Sequence, residues 1–137
     1  MTEQITREAP AHPRRCLVIE DHEDAAESMA LLLRLAGHEA EVALDAGAGL
    51  EKARQFLPEV VLCDIGLPGA MDGYGLARAF RADPGLPPAF LIALTGYGQE
   101  EDRRRALEAG FDAHLTKPAD LDTLLGLLAS LAREGNG

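Results

Sequence analysis

The sequence predicts an α/β fold in which five parallel strands form one doubly wound sheet covered by five helices. Three observations lead to this prediction. Short apolar runs alternate with helical patterns along all 137 residues, and the connecting segments are short. The strongest runs are apolar on both faces, as are parallel strands that helices cover on both sides. Five strand–helix units in one chain imply a parallel sheet with right-handed crossovers.

The five strands differ in how strongly the sequence marks them. The first ("CLVI"), third ("VVLC") and fourth ("AFLIAL") runs are apolar throughout. The second run, "EAEVAL", is more polar and therefore more exposed, and the fifth, "AHLT", is short. In chain order, the predicted strands are 16–19, 39–44, 60–63, 89–94 and 113–116.

Five helices follow the strands. The first carries apolar residues at helical spacing and stops before Gly37, a residue typical of a helix C-terminus. Gly110 ends the fourth helix in the same way. The leucine-rich fifth helix has more apolar positions than one buried stripe needs, which favours wide packing on the core over a partner or dimer face. The predicted helices are 25–36, 46–55, 74–82, 100–109 and 121–131.

The composition narrows the class of protein. A formal net charge of −10 disfavours nucleic acid and anionic membranes as partners and favours a basic protein face or a metal cation. No apolar run is long enough to span a membrane, and the N-terminus lacks the apolar stretch of a secretory signal. Cys16 and Cys63 lie in apolar runs, which favours small buried side chains over a disulfide. We therefore expect one soluble cytoplasmic domain.

Polar side chains stand where four of the predicted strands end. Glu20 and Asp21 follow the first strand, and Asp64, Thr95 and Lys117 follow the third, fourth and fifth. The carboxyl ends of parallel strands meet at one edge of the sheet, where such folds bind ligands. Crowded carboxylates need a cation, and oxygen ligands suit Mg²⁺, which bridges carboxylates to phosphate oxygens. Because the lysine and the threonine can contact a phosphoryl group, Asp64 is a candidate covalent phosphoryl acceptor.

At these residues the chain resembles the receiver domain of two-component response regulators. The matching segments are "VIED", "DIGLPGAMDGYGLAR", "ALTGY" and "KP". Each is weak alone, but in this order and spacing they are highly specific. The resemblance implies a flavodoxin-like receiver fold with strand order 2-1-3-4-5. It places the receiver domain at 14–133, between a flexible tail at 1–13 and a short tail at 134–137.

The resemblance also implies an acceptor and a metal site. Asp64 corresponds to the phosphoacceptor. Asp21, Asp64 and the backbone carbonyl of Gly66 correspond to ligands of Mg²⁺, and Glu20 would act through a water molecule. The loop "LPGAMDG" beside this site is one residue longer than the usual pattern.

Further roles follow from the same resemblance. Thr95 and Lys117 would contact the phosphoryl group, and the Lys117–Pro118 peptide bond would be cis, an isomer readily available only before proline. Thr95 and the residue at position 114 form the family's switch. That position commonly holds Tyr or Phe, and here it is His114.

The remaining polar patterns predict no additional site. "EEDRRR" reads as a solvated helix face with i,i+4 ion pairs, Glu100–Arg104 and Glu101–Arg105. The histidines at positions 12, 22 and 38 do not form a metal-ligand set.

The function predicted is a phosphoacceptor signalling module rather than an enzyme. It would take a phosphoryl group from a histidine kinase or a histidine phosphotransfer protein, and catalyse at most its own phosphorylation and dephosphorylation. Because the chain stops after the fifth helix, we expect a single-domain regulator or relay, monomeric or weakly dimeric, that signals through protein contacts. A receiver excised from a hybrid histidine kinase is an open alternative.

Two other functions use similar residues. A phosphatase of the haloacid dehalogenase type needs a second acid two residues after its nucleophile, where this chain has Gly66. A flavodoxin-like flavin carrier needs a phosphate-binding loop after the first strand, and the segment "EDHED" there would repel phosphate. Both are therefore disfavoured.

Overall fold

The computed structural model describes residues 12–96 and 100–135, with side chains as far as residue 131. The strands are β1 (Arg15–Ile19), β2 (Glu39–Ala43), β3 (Val60–Asp64), β4 (Phe90–Thr95) and β5 (Ala113–Thr116). The helices are α1 (Glu23–Leu35), α2 (Ala46–Phe56), α3 (Gly73–Ala82), α4 (Glu100–Ala109) and α5 (Leu121–Gly135).

All five strands are parallel and form one sheet in the order β2-β1-β3-β4-β5. The predicted doubly wound fold and its strand order are confirmed. β3 and β4 each extend one residue beyond the predicted strand, so Asp64 and Thr95 are the last residues of their strands. Of the two predicted tails, residues 1–11 and 136–137 lie outside the described residues, and α5 continues to Gly135.

Alternate residues of the central strands pack into two separate cores, one on each face of the sheet. On one face, Leu17, Val61 and Leu91 join a cluster that α2, α3 and α4 cover. On the other face, Val18 and Leu62 join a cluster with α1 and α5. This explains why the strand sequences are apolar at every position. In α5, two leucines are buried and three more pack against the same cluster: Leu124, Leu128, Leu125, Leu127 and Leu131.

A glycine brings the start of α3 against the end of β3. The backbone N–H of Gly73 donates to the carbonyl of Ile65 at 3.1 Å. A Cβ on Gly73 would lie 2.6 Å from the carbonyl oxygen of Asp64, which is closer than any side chain tolerates. The Asp72 carboxylate caps the helix by accepting from Gly75 N–H at 2.9 Å. These contacts hold the segment that carries Asp64.

The charged residues of α4 are paired differently from the prediction. The ion pairs have i,i+3 spacing, which corrects the expected i,i+4 spacing. Arg105 lies instead over the ring of Tyr74 in α3, with 4.5 Å from the guanidinium carbon to the ring centroid. The two pairs are Glu100–Arg103 at 3.7 Å and Glu101–Arg104 at 3.6 Å.

Both cysteines are free and buried. Burial is the largest cause of the raised pKa of each thiol, and the pKa of Cys16 reaches about 12. They are packing residues, as predicted. No helix in the part of the chain that the structure describes is long and apolar enough to cross a membrane.

Candidate functional site

Asp64 lies at the centre of the site, at the end of β3. The residue is 7% exposed, and both of its carboxylate oxygens accept hydrogen bonds. Oδ1 accepts from the backbone N–H of Gly66 at 2.9 Å, and Oδ2 accepts from the ammonium of Lys117 at 2.8 Å. A nearly buried carboxylate is tolerated here because a lysine and a backbone donor compensate it.

Lys117 connects two strand ends. Besides Asp64, its ammonium contacts Oε1 of Glu20 at 3.0 Å. About two thirds of the side chain is buried, since its exposed fraction is 32%. Burial acts to lower the pKa of Lys117, but the bonds with Asp64 and Glu20 outweigh it and raise the pKa. The ammonium is therefore held in its charged form between two carboxylates.

Glu20 uses its two oxygens for two different partners. Oε1 contacts Lys117, whereas Oε2 accepts from the backbone N–H of His22 at 3.1 Å and lies 3.1 Å from Nδ1 of the same residue. Burial tends to raise the pKa of Glu20, but the His22 N–H and Lys117 together lower it to about 2. Glu20 is thus ionised at every pH near neutrality.

Asp21 and His22 occupy the outer side of the site. The Asp21 side chain is 29% exposed and lacks the lysine contact that Glu20 and Asp64 share. His22 is 75% exposed, and its Nδ1 lies 3.7 Å from Oδ1 of Asp21. The hydrogen bond with Glu20, followed by the charge of Asp21, raises the pKa of His22. Three carboxylates therefore face one ammonium, and the imbalance favours a cation.

Thr95 ends β4 beside β5. The residue is fully buried, and its Oγ1 has no hydrogen-bond partner among the described residues. Its carbonyl accepts from the backbone N–H of Lys117 at 2.7 Å, which ties the end of β4 to the lysine. A buried hydroxyl without a partner is unusual and is available for a ligand or another conformation.

The approach to Asp64 is open above Gly66. That residue is exposed, and a Cβ on it would touch only Oδ1 of Asp64, at 3.5 Å. The longer loop that follows turns through Gly69, whose φ of 95° is in the left-handed region that glycine adopts without strain. Residue 66 itself has no side chain that could cover the carboxylate.

His114 and Pro118 lie on either side of Lys117 along the chain. His114 is half-buried on β5 and lines a cavity of about 200 Å³ with Arg103, Ala106 and Leu107 of α4. The Lys117–Pro118 peptide bond is cis. The strand ends thus bring Glu20, Asp21, Asp64, Thr95 and Lys117 to one edge of the sheet, while His114 faces α4.

The sequence analysis missed His22 as a potential ligand. Ligand atoms of Glu20, Asp21 and His22 all lie within 4.8 Å of one another, so the three residues could hold a metal ion. The sequence feature that indicates this role is the position of His22 directly after the acidic pair Glu20 and Asp21. Its spacing from the other histidines is less informative. The oxygen donors Glu20, Asp21 and Asp64 fit Mg²⁺, and they would give it two or more carboxylates with room for water.

Comparisons with known proteins agree on one family. The family model described as "Response regulator receiver domain" matches residues 16–129. The sensory transduction protein RegX3 of Mycobacterium tuberculosis is 34% identical over 119 residues, which are 87% of this chain and 51% of RegX3. The chain therefore spans about half of RegX3. It is also 29% identical to the transcriptional regulator RpaA of Synechocystis over 119 residues, which are 87% of this chain and 49% of RpaA.

Solved structures show the same fold. A response regulator receiver domain protein (CheY-like) from Methanospirillum hungatei has a TM-score of 0.77 and 32% identity, and covers 92% of this chain and 100% of that one. A CheY-like receiver domain from Methylobacillus flagellatus has a TM-score of 0.75 and 28% identity, and covers 87% of this chain and 98% of that one.

Proposed function

Because the chain belongs to the family of response regulator receiver domains, we propose that it accepts a phosphoryl group on Asp64 from a histidine kinase or a histidine phosphotransfer protein. The observation that carries the proposal is the environment of Asp64. Its carboxylate is nearly buried, bonded to Lys117 at 2.8 Å, and open to an incoming group above Gly66. Receiver domains are signalling domains, and we propose that this one signals through protein contacts without an enzymatic activity on other substrates.

The transfer is a displacement at phosphorus. A carboxylate oxygen of Asp64 forms a bond to phosphorus, and the bond from phosphorus to the donor's histidine nitrogen breaks. The nitrogen keeps the electron pair, and because the donor ring carries a proton on its other nitrogen, it leaves as neutral imidazole. Negative charge on the phosphoryl oxygens must be stabilised by positioned cations and donors. Among the residues that the structure describes, Lys117 and the unpartnered hydroxyl of Thr95 are two groups that can do so.

We propose that Mg²⁺ binds beside Asp64. Asp21, Asp64 and the carbonyl oxygen of Gly66 would hold it, and Glu20 would act through water. The support is the excess of carboxylates over ammonium groups at the site. Bound Mg²⁺ would neutralise charge on the carboxylates and on the phosphoryl oxygens.

Thr95 and His114 are the proposed switch. Once Lys117 turns to the phosphoryl group, the hydroxyl of Thr95, which now has no partner among the described residues, gains one. A shift of Thr95 would be felt by the cavity of about 200 Å³ between α4 and β5, which His114 lines. His114 would respond as a smaller and more polar ring than the usual Tyr or Phe.

The phosphodonor protein would dock beside the site. An apolar cavity of about 440 Å³ opens next to Glu20 and Lys117 and is lined by Met29, Leu32 and Pro118, among others. On α1, leucines continue this surface, with Leu35 72% exposed. The position of this apolar surface next to Glu20 and to Lys117, which bonds Asp64, supports a protein partner over nucleic acid or membrane. We propose a monomer or weak dimer.

Phosphorylation of Asp64 is tested directly with acetyl phosphate and Mg²⁺. Intact-mass spectrometry of the wild type should show one added phosphoryl group, which hydroxylamine removes because it is an acyl phosphate. Asp64→Asn should remain unlabelled. Asp45→Asn is the matched control, because Asp45 is an exposed helix cap and asparagine caps equally well. Full labelling of Asp64→Asn at another residue would contradict the proposal.

Mg²⁺ binding is tested without phosphorylation. An Mg²⁺ titration followed by NMR should move the amide resonances of Glu20, Asp21, Asp64 and Gly66 in the wild type. In Asp21→Asn the affinity should fall. An unchanged affinity in that variant would mean that the proposed ligand set is wrong.

A further inference from the structure

We propose that Glu20, Asp21 and His22 form a second cation site at the outer rim of the acidic edge, which takes a divalent metal that accepts both nitrogen and oxygen ligands, such as Zn²⁺. The inference touches the proposed function through two shared residues: Asp21 would be a ligand in both sites, and Glu20, a direct ligand at the rim, would act through water on Mg²⁺. Nitrogen is the difference: the ligand set around Asp64 contains oxygen alone.

The spacing of the three ligand atoms fits a tetrahedral ion. Zn²⁺ bonds of about 2.0–2.1 Å place neighbouring tetrahedral ligands about 3.3–3.4 Å apart. Nδ1 of His22 lies 3.1 Å from Oε2 of Glu20 and 3.7 Å from Oδ1 of Asp21, so the two observed distances bracket that value. All three ligand atoms lie within 4.8 Å of one another.

The ligand atoms are available. Glu20 offers Oε2 and keeps Oε1 on Lys117, so a metal at the rim does not require that ion pair to break. His22 is the residue that precedes α1, and its side chain makes no capping hydrogen bond there. At 75% exposure the ring can turn its lone pair to an ion, and a fourth position remains open to water.

The chemistry separates the two cations. Mg²⁺ prefers oxygen ligands in octahedral geometry and does not gain from an imidazole. Zn²⁺, Ni²⁺ and Cu²⁺ bind imidazole readily, and a given site of nitrogen and oxygen ligands holds them more tightly than Mn²⁺ or Fe²⁺. His22 therefore gives the rim a preference that the carboxylates alone do not have.

The first test compares two affinities in the full chain after removal of metals. The Kd of Zn²⁺ is measured by competition with a chromophoric chelator and the Kd of Mg²⁺ by NMR, at one pH. In His22→Ala the preference for Zn²⁺ over Mg²⁺, taken as the ratio of the two Kd values, should fall about 10- to 100-fold. His12→Ala removes another exposed histidine and should keep the ratio of the wild type.

A spectroscopic test identifies the ligand. Cu²⁺ bound to the wild type should show nitrogen hyperfine coupling in its electron paramagnetic resonance spectrum, and His22→Ala should lose it. The inference is overturned if His22→Ala keeps this coupling, or if its ratio of Kd values equals that of the wild type. His22→Ser, in which serine can cap α1, provides a folded variant if the alanine variant is unstable.

Sharing of Asp21 makes a further outcome measurable. Zn²⁺ at the rim should raise the apparent Kd of Mg²⁺, and Mg²⁺ should raise that of Zn²⁺ by the same factor. Independent binding of the two ions would overturn the shared ligand. Phosphorylation by acetyl phosphate with Mg²⁺ and no zinc distinguishes the two proposals: a chain that binds zinc through His22 but is not phosphorylated refutes only the proposed function.

Discussion

Replacing Lys117 with methionine should destabilise the chain more than the same replacement of Lys52, the other lysine of the sequence. Methionine keeps most of the length and apolar stem of lysine but removes the ammonium. Two nearly buried carboxylates, Asp64 and Glu20, then face each other without a counter-charge. Removing one partner of a buried ion pair is strongly unfavourable, because the other charge stays buried.

The magnitude follows from the two contacts. The pKa of Glu20 falls from its ordinary 4.5 to about 2, which corresponds to about 3 kcal/mol, although burial opposes it. The His22 N–H contributes first and Lys117 next, so the lysine accounts for about 1–2 kcal/mol at Glu20. Its bond to Asp64 at 2.8 Å adds about 1.5–3 kcal/mol. A third of the Lys117 side chain is exposed, so water can partly replace the missing ammonium in the variant. We therefore expect the free energy of unfolding to fall by about 2–4 kcal/mol in total.

Urea unfolding in EDTA at neutral pH measures this loss. Lys52→Met is the matched control, because Lys52 pairs with Glu41 at 3.3 Å in a half-exposed position and this variant should lose at most about 1 kcal/mol. Added Mg²⁺ should restore part of the stability of Lys117→Met. If Lys117→Met loses no more than Lys52→Met in EDTA, the lysine does not compensate the buried carboxylates.

The stability of the wild type and of Lys117→Met should also depend differently on pH. The folded-state pKa of Glu20 is below its unfolded value, so its contribution is present above about pH 4.5 and is lost as the pH falls toward 2. Without Lys117 the folded-state pKa of Glu20 rises. The stability difference between wild type and Lys117→Met should therefore shrink as the pH falls through this range.

Two further predictions concern groups outside the site. Tyr74→Phe removes a buried hydroxyl that has no partner among the described residues and keeps the ring under Arg105. The free energy of unfolding should therefore rise by about 1–3 kcal/mol relative to the wild type. A fall would show that the hydroxyl is hydrogen-bonded. The pKa of His38 is lowered, mainly by burial and then by Arg14, and its Nδ1 accepts from the Arg14 backbone N–H at 2.9 Å. Neutral His38 therefore contributes to the free energy of unfolding above its unfolded-state pKa of about 6.5. This contribution is lost as the pH falls through the lower pKa of the folded state. Between about pH 7.5 and 5.5 the wild type should lose stability relative to His38→Asn, as urea unfolding would show, and an equal pH dependence of the two would contradict this.

The sequence predicted the edge of the sheet well because strand ends follow from backbone rules. Parallel strands that are apolar on both faces must lie inside the sheet, and their carboxyl ends must meet. For this reason Asp64 and Thr95 could be placed together from the strand pattern alone, and the structure has them at the ends of β3 and β4. The alternation of side chains into two cores follows from the same rule.

Side-chain pairing was predicted less well because it depends on neighbours distant in sequence. Lys117 was expected at the same edge of the sheet as Asp64, but its contact with Glu20 depends on how β1 and β5 approach across β3 and β4. Arg105 was expected to pair within α4 and instead stacks on Tyr74 of α3, because an aromatic face competes with a solvated carboxylate. His22 was judged against other histidines, whereas its partners are the two acids before it.

The division of Glu20 between two partners links the two proposed cation sites to the phosphorylation state. In the structure, Oε1 is held by Lys117 and Oε2 faces His22. A phosphoryl group on Asp64 would draw Lys117 away and bring further negative charge to the same edge. Glu20 would then lose its main counter-charge on the inner side, while the need for a cation on the outer side would increase. Phosphorylation should therefore tighten the binding of a metal at Glu20, Asp21 and His22, and by reciprocity a metal at the rim should stabilise the phosphorylated form over the resting one. A Zn²⁺ affinity that is equal in the two forms would mean that Lys117 stays on Glu20 after phosphorylation.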